Sequence, residues 1–290
     1  MTLRKRLGLV TVGGLLLGAA GLVVGRVRTE RSTRRRVEDL LAAAERPAAE
    51  HGSVGGLTDL PSPVRRYFDA VLAPEQAPPR TARLHQHGSF LLGDEWRPMT
   101  ATQHVTVDPP GFVWDASIHA APLVRVRVVD AYEGGEGSLR ALALGAVPVA
   151  SAPSNPEMDR GELLRYLAEG PWLPTALLPS NGVAWESIDE RRAKATIVDG
   201  STAASLVFHF DEADLIERVT AERRYRQEDD DFLPWTGHFG EYEWHDGVRI
   251  PTEARVEWET PSGPSPYWRA RVTAVEYDVA DRSRHGVPDA

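Results

Sequence analysis

From residue 82 onward the chain alternates apolar and polar side chains with period two, the pattern of strands that bury one face. In FVWDASI, Phe112, Trp114, Ala116 and Ile118 fall on one side, with Asp115 and Ser117 on the other. LVRVRVV sets Val124, Val126 and Val128 against Arg125 and Arg127. EARVEWE sets Ala254, Val256 and Trp258 against Glu253, Arg255, Glu257 and Glu259, and WRARVTAVEYD places Trp268, Ala270, Val272 and Ala274 together. Asp-Gly pairs at 199–200 and 246–247 stand between alternating runs, the composition a tight hairpin turn requires. GDE at 93–95, EGGEG at 133–137 and DEAD at 211–214 mark further joints. The pattern predicts about five strands before residue 155 and about seven after 180, antiparallel because their connections are short. A sheet that wide curls, and its apolar concave face needs a cover.

One helical segment interrupts the strands. LLRYLAEGPWLPTALLP, 163–179, starts as a helix and meets Pro171, Trp172, Leu173 and Pro174 where its next turn would be. Leu163, Leu164, Leu167, Trp172, Leu173, Leu177 and Leu178 give so short a piece a large apolar surface. It reads as a plug or lid on the inside of a half-barrel, and equally as an ordinary helix covering a core. Upstream, SPVRRYFDAVL predicts a short helix with Ser62 as N-cap and Pro63 at its first position. Its apolar face carries Val64, Phe68, Val71 and Leu72.

The first residues follow a third pattern: a basic start, then 19 uncharged residues from Leu7 to Gly25. As a helix this run reaches roughly 28 Å, close to the hydrocarbon thickness of a bilayer. It predicts a single-pass N-terminal transmembrane helix. A cleaved signal peptide ending near GAA at 18–20 is the alternative, opposed by Leu22, Val23 and Val24 beyond that point. The expected organisation is an anchor with basic flanks at 1–36, a helix and linker at 37–60, an antiparallel half-barrel at 61–280 and a tail at 281–290. Cations on both sides of the span leave open which side of the membrane holds the domain.

Charge sharpens this division. Residues 1–36 carry nine Lys/Arg against Glu30 alone, so the rest of a chain of net charge -9 carries -17. An acidic body excludes a nucleic-acid partner, which needs clustered cations. With no cysteine, disulfides, thiol nucleophiles and thiolate metal sites are excluded. Phosphate-binding loops, a GxSxG elbow and HExxH are all missing, and nothing calls for a cofactor. His85 and His87 share a strand face near His104, His119 and Asp115, a weak metal-site pattern that polar strand faces also show. More informative are polar residues in line with apolar ones: Asp130 after Val124, Val126 and Val128, together with Gln86 and Gln103. Asp130 would be half buried and would pair with an arginine such as Arg165, itself four residues from Glu169.

GELLRYLAEGPWLPTALLP, DAYEGGEGSL, FVWDASI, LPWTGHFGEYEWHDGVRIPTEARVEW and LPSPVRRYF together resemble an uncharacterised domain-of-unknown-function family of membrane-anchored prokaryotic proteins. The resemblance covers roughly residues 58–278. It implies a mainly β fold similar to the lipoprotein-localisation factors (LolA/LolB-like), a curved antiparallel half-barrel with helices on its inside, and it transfers no catalytic residue.

Three functions fit. The first is a membrane-anchored, non-catalytic binding module holding a lipid or acyl chain, with Trp114, Trp172, Leu173, Trp258 and Trp268 lining the cavity and Asp130 or Arg165 at its polar end. The second is an enzyme using Asp130, Glu133 or Glu169 with Arg165, with or without a metal. The third is a structural or partner-binding envelope protein whose cavity is filled by its own side chains.

Overall fold

The computed structural model describes residues 3–44, 59–74 and 77–278, with side chains from residue 20. Thirteen strands form one antiparallel sheet. They are β1 (Thr81–Leu92), β2 (Glu95–Thr106), β3 (Gly111–Ala121), β4 (Val124–Glu133), β5 (Glu136–Ala143), β6 (Val147–Ala152), β7 (Val183–Asp189), β8 (Arg192–Asp199), β9 (Thr202–Phe210), β10 (Ile216–Arg226), β11 (Asp231–His245), β12 (Val248–Thr260) and β13 (Gly263–Tyr277). The spatial order is β6-β5-β4-β3-β2-β1-β13-β12-β11-β10-β9-β8-β7. Two meanders are therefore joined where the first strand meets the last, and β6 and β7 form the two edges. Between β6 and β7 the chain crosses the apolar face as α3 (Pro156–Ala168) and three 3₁₀ turns, Gly170–Trp172, Pro174–Leu177 and Pro179–Asn181.

The hairpin tips define two ends of the half-barrel. One end carries the β1–β2, β3–β4, β5–β6, β10–β11 and β12–β13 turns; the other carries the β2–β3, β4–β5 and β11–β12 turns. We call these the near and far ends. α3 and the 3₁₀ turns close the far end. Tyr166 donates to the Thr106 carbonyl (3.0 Å), Trp172 Nε1 to the Pro251 carbonyl (3.0 Å), and Tyr277 to the Trp172 carbonyl (3.1 Å). Helix α2 (Ser62–Val71) adds Val64, Tyr67, Phe68 and Val71 to the same core. Gly137 lets α3 approach β5, because a Cβ there would lie 2.8 Å from the Met158 carbonyl oxygen.

The structure departs from the alternation in instructive places. Six strands, not five, precede α3: VPVASA forms edge strand β6, exposed along most of its length and so without apolar alternation. Ala274 is exposed rather than in line with Val272. Gln86 pairs with Val272 while His85 pairs with Ala274, so Thr273 is an extra residue and Val275 and Tyr277 face the core instead. The turn at 246–247 is the Asp-Gly type expected, with φ of 44° and 76°. The other closes one residue later, on Gly200 and Ser201 between paired Asp199 and Thr202. Ser62 does not cap α2; Pro61 holds the cap position, and the Ser62 hydroxyl accepts from Arg66 (2.7 Å).

The N-terminal helix α1 (Leu3–Ala44) is continuous. Leu40 packs with Val113, Val129 and Ala131 on the convex face, and Arg36 pairs with Glu133 and donates to Ser138 (2.9 Å). Among the described residues no helix is long and apolar enough to cross a membrane. Most of the segment expected to span, 7–25, lies outside the residues whose side chains are described.

Candidate functional site

Even-numbered positions of β1, β3 and β4 point into the half-barrel, as their alternation requires, and this carries three polar side chains inward with the apolar ones: Gln86 and Asp130, joined by Gln103 from β2. They form one chain of hydrogen bonds with α3. Trp114 Nε1 donates to Gln86 Oε1 (2.9 Å), Gln86 Nε2 to Gln103 Oε1 (3.3 Å), and Gln103 Nε2 to Glu169 Oε2. Arg165 Nε donates to Glu169 Oε1 (2.8 Å), and its Nη1 donates to Asp130 Oδ2. Glu162 Oε2 lies 3.9 Å from the same nitrogen. The guanidinium carbon sits 4.8 Å from the Phe112 ring centre and 5.1 Å from that of Trp114, so aromatic faces hold the cation as the carboxylates do.

Charge in this cluster is out of balance. Three buried or nearly buried carboxylates surround Arg165, and burial disfavours each additional negative charge. Burial, reinforced by Asp130, pushes Glu162 up to about 8, so it is largely protonated at neutral pH. Asp130 is raised as well, by burial first, against the pull of Arg165. Asp130 Oδ1 and Glu162 Oε2 are buried without a hydrogen-bond partner, the only such carboxylate oxygens among the described residues.

The cluster lies at the inner end of a cavity of about 600 Å³ on the concave face. Its walls include Phe90, Trp114, Val126, Val128, Tyr267 and Trp268. Arg224 enters from β10, stacked on Trp235 (4.8 Å) and Trp258 (5.7 Å). A larger recess of about 960 Å³ lies on the convex face beside α1. Its walls mix polar and apolar groups, and Asp115 there is already bound by Arg127 Nε and Nη2 (2.8 and 2.6 Å), so the concave cavity is the better candidate. No group of three metal-ligating side chains comes together among the described residues. His104 is held neutral, drawn down to about 4 by burial and then by Arg83.

Of the residues singled out by sequence, Trp114, Asp130, Arg165, Trp172 and Trp268 line the cavity. Leu173 is buried in the core beyond it, and Trp258 stacks on Tyr267 (6.0 Å) behind the wall. Glu133 is remote, paired with Arg36 on the convex side. Two members were not foreseen. Glu162 shares a helical face with Arg165 and Glu169 at spacings of three and seven, a signal the sequence does contain. Arg224 was hidden: a bulge between Ala221 and Arg224 shifts the parity of β10 and turns this residue inward.

The geometry defines a curved antiparallel half-barrel with a largely apolar cavity and a buried polar end. The chain belongs to the family of unknown function DUF6920, which matches residues 58–277. No curated protein matches it. Among solved structures, it is similar to a DUF1329 family protein from Desulfovibrio piger at 14% identity, covering 82% of this chain and 95% of that one, with a TM-score of 0.42. A LolA superfamily protein from Nitrosomonas europaea is 12% identical over 76% of this chain and 94% of its own, with a TM-score of 0.41. A putative outer membrane lipoprotein-sorting protein domain from Vibrio parahaemolyticus is 10% identical over 72% and 88%, with a TM-score of 0.39.

Proposed function

We propose that the protein is a membrane-tethered binding module whose half-barrel holds a lipid or acyl chain. The observation that carries this reading is the concave cavity of about 600 Å³, largely apolar and aromatic along its walls, with the buried carboxylate–arginine cluster at its inner end and Gln227 and Glu228 near its mouth. The tether is the uncharged segment 7–25, leading through 26–36 into the rest of α1, with the half-barrel at 61–280 as the binding domain. Because Asp130 Oδ1 and Glu162 Oε2 lack partners, the polar end suits a head group that donates hydrogen bonds, such as a hydroxyl or amine.

The carboxylate cluster also supports a second reading, acid–base catalysis, since Glu162 is raised to about 8 beside Asp130. Binding accounts for more of the site. Arg165 and Glu169 are already engaged with each other and with the sheet, and the walls beyond them are largely apolar.

The test uses the full chain in phosphatidylcholine vesicles that contain a lipid with a photoreactive diazirine on its acyl chain. After illumination, cross-links are expected on peptides bearing Phe90, Trp114 and Trp268. Val128→Trp, which fills the cavity, should abolish them. Cross-links confined to residues 3–44 would sink the binding reading.

A further inference from the structure

Eight of the eleven exposed large apolar side chains of the described residues gather at one end, while Ile188, Val198 and Trp244 lie elsewhere. Val23, Val24 and Val27 of α1, Leu123 and Val124 at the β3–β4 turn, and Leu144, Val147 and Val149 around the β5–β6 turn are all exposed. Leu123 is 99% exposed and Val23 is 63% exposed. Every one of these turns is at the near end, and contacts with α1 fix their level along the helix. Gly25 lies against Ala146 so closely that a Cβ would be 2.9 Å from it, and Gly145 lies against the Arg26 side chain. Further along, Arg36 reaches Glu133 and Leu40 reaches Gly111, both at the far end. α1 therefore runs from the near end to the far end, and residues before Gly25 lead away from the near end.

That contact sets a level. Gly25 is the last residue of the uncharged 7–25 segment. If that segment spans the bilayer, its end marks the membrane boundary, and the Leu144–Ala146 turn sits at that boundary. The apolar tips are then where apolar side chains gain by leaving water. Arg26, Arg28 and Arg125 are exposed beside them, at the height of lipid phosphates, where each cation contributes about 1 kcal/mol on an anionic surface. The cavity faces the same way. Phe90 and Leu92 approach the β1–β2 turn and Val126 the β3–β4 turn, whereas α3 and the 3₁₀ turns shut the far end.

We propose that the β3–β4 and β5–β6 tips dock into the surface of the bilayer that holds the N-terminal segment, so that the open end of the cavity faces lipid. This rests on the tether reading above but not on the identity of the cargo.

The absence of cysteine makes the test direct, since one introduced thiol is the only labelling site. Leu123→Cys and Val147→Cys are labelled with the environment-sensitive fluorophore NBD in the full chain. Val198→Cys is the control, exposed on β8 beside the Asp199 that Tyr132 binds at the far end. In vesicles of phosphatidylcholine and phosphatidylglycerol, the labels at 123 and 147 should shift to the blue and lose intensity when nitroxide-bearing lipid is added; the label at 198 should do neither. Water-like emission at 123 and 147 overturns the docking. So does a blue shift that nitroxide lipid leaves unquenched and that grows with protein density, which would make the patch a contact between two copies. Alkaline carbonate extraction of the same vesicles reads the tether separately, and the photo-cross-linking reads the cargo.

Discussion

Arg165 is held on four sides, by Asp130, by Glu169, and by the faces of Phe112 and Trp114. Removing it strands carboxylates in a buried site, which costs more than the pair contributed. Arg165→Met should destabilise the protein by about 3–5 kcal/mol in chemical denaturation. Adding Asp130→Leu should recover part of the loss, because it removes one stranded charge. Glu162 makes a prediction of the opposite kind. Burial raises it from 4.5 to about 8, so the folded protein holds a proton that the unfolded chain releases across that range. Its stabilising contribution is complete below about 4.5 and is lost as pH rises through about 8. Glu162→Gln should therefore leave the melting temperature at pH 5 nearly unchanged and raise it at pH 9 by roughly 10 °C, given about 1.4 kcal/mol per pKa unit and about 2–4 °C per kcal/mol for a domain of this size. Equal shifts at both pH values would show that Glu162 does not carry the proton. At this scale much could be read from sequence. Asp130, Gln86 and Gln103 break apolar alternation and therefore face inward, whereas Arg224 depends on a bulge that alternation alone does not reveal.

α3 is the element on which the cavity depends. Its start is explicit: Asn155 Oδ1 accepts from the Glu157 and Met158 amides (3.1 and 3.0 Å), and Pro156 follows at the first position. Asn155→Ala should cost about 1 kcal/mol. If α3 shuts the far end as a unit, the same variant should increase amide exchange through 156–168 before the sheet is affected. Its other end is Trp172, which meets Phe239 (6.1 Å) and Trp268 (6.3 Å) edge-on while donating to Pro251. Trp172→Ala should cost about 3–5 kcal/mol. A much smaller loss in thermal unfolding would mean that the break in the helix is a mobile lid rather than a fixed plug. The proline spacing predicted that the helix stops and that a tryptophan stands at the stop. Which element that tryptophan anchors was not legible, because its partners lie on β11, β12 and β13, more than sixty residues away.

For the whole molecule, the prediction concerns orientation. If 7–25 tethers the chain as proposed, a helix fastened along the convex face and apolar tips at the near end leave the domain little freedom to tumble. Trypsin added outside sealed vesicles should therefore cut at the exposed Arg65 of α2, whose following residues pair with the far-end β11–β12 turn, sooner than at Arg125. Detergent should remove the difference, while equal cutting in vesicles would mean that the domain swings freely on its helix.

The sequence by itself determined the class of fold, the turns at 93–95, 133–137, 199–200, 211–214 and 246–247 to within a residue, the broken cover segment and the charge divide between residues 1–36 and the body. These are local properties: period-two alternation, glycine at positive φ and proline in a helix each act over a few residues. The tertiary structure alone decided that β1 meets β13, that bulges at Thr273 and before Arg224 reverse parity, that Leu173 and Trp258 stand outside the cavity wall, and that α1 lies along the convex face. Each of these follows from pairing between segments distant in the chain, where the free energy comes from the surface two elements bury together and no single stretch carries the signal.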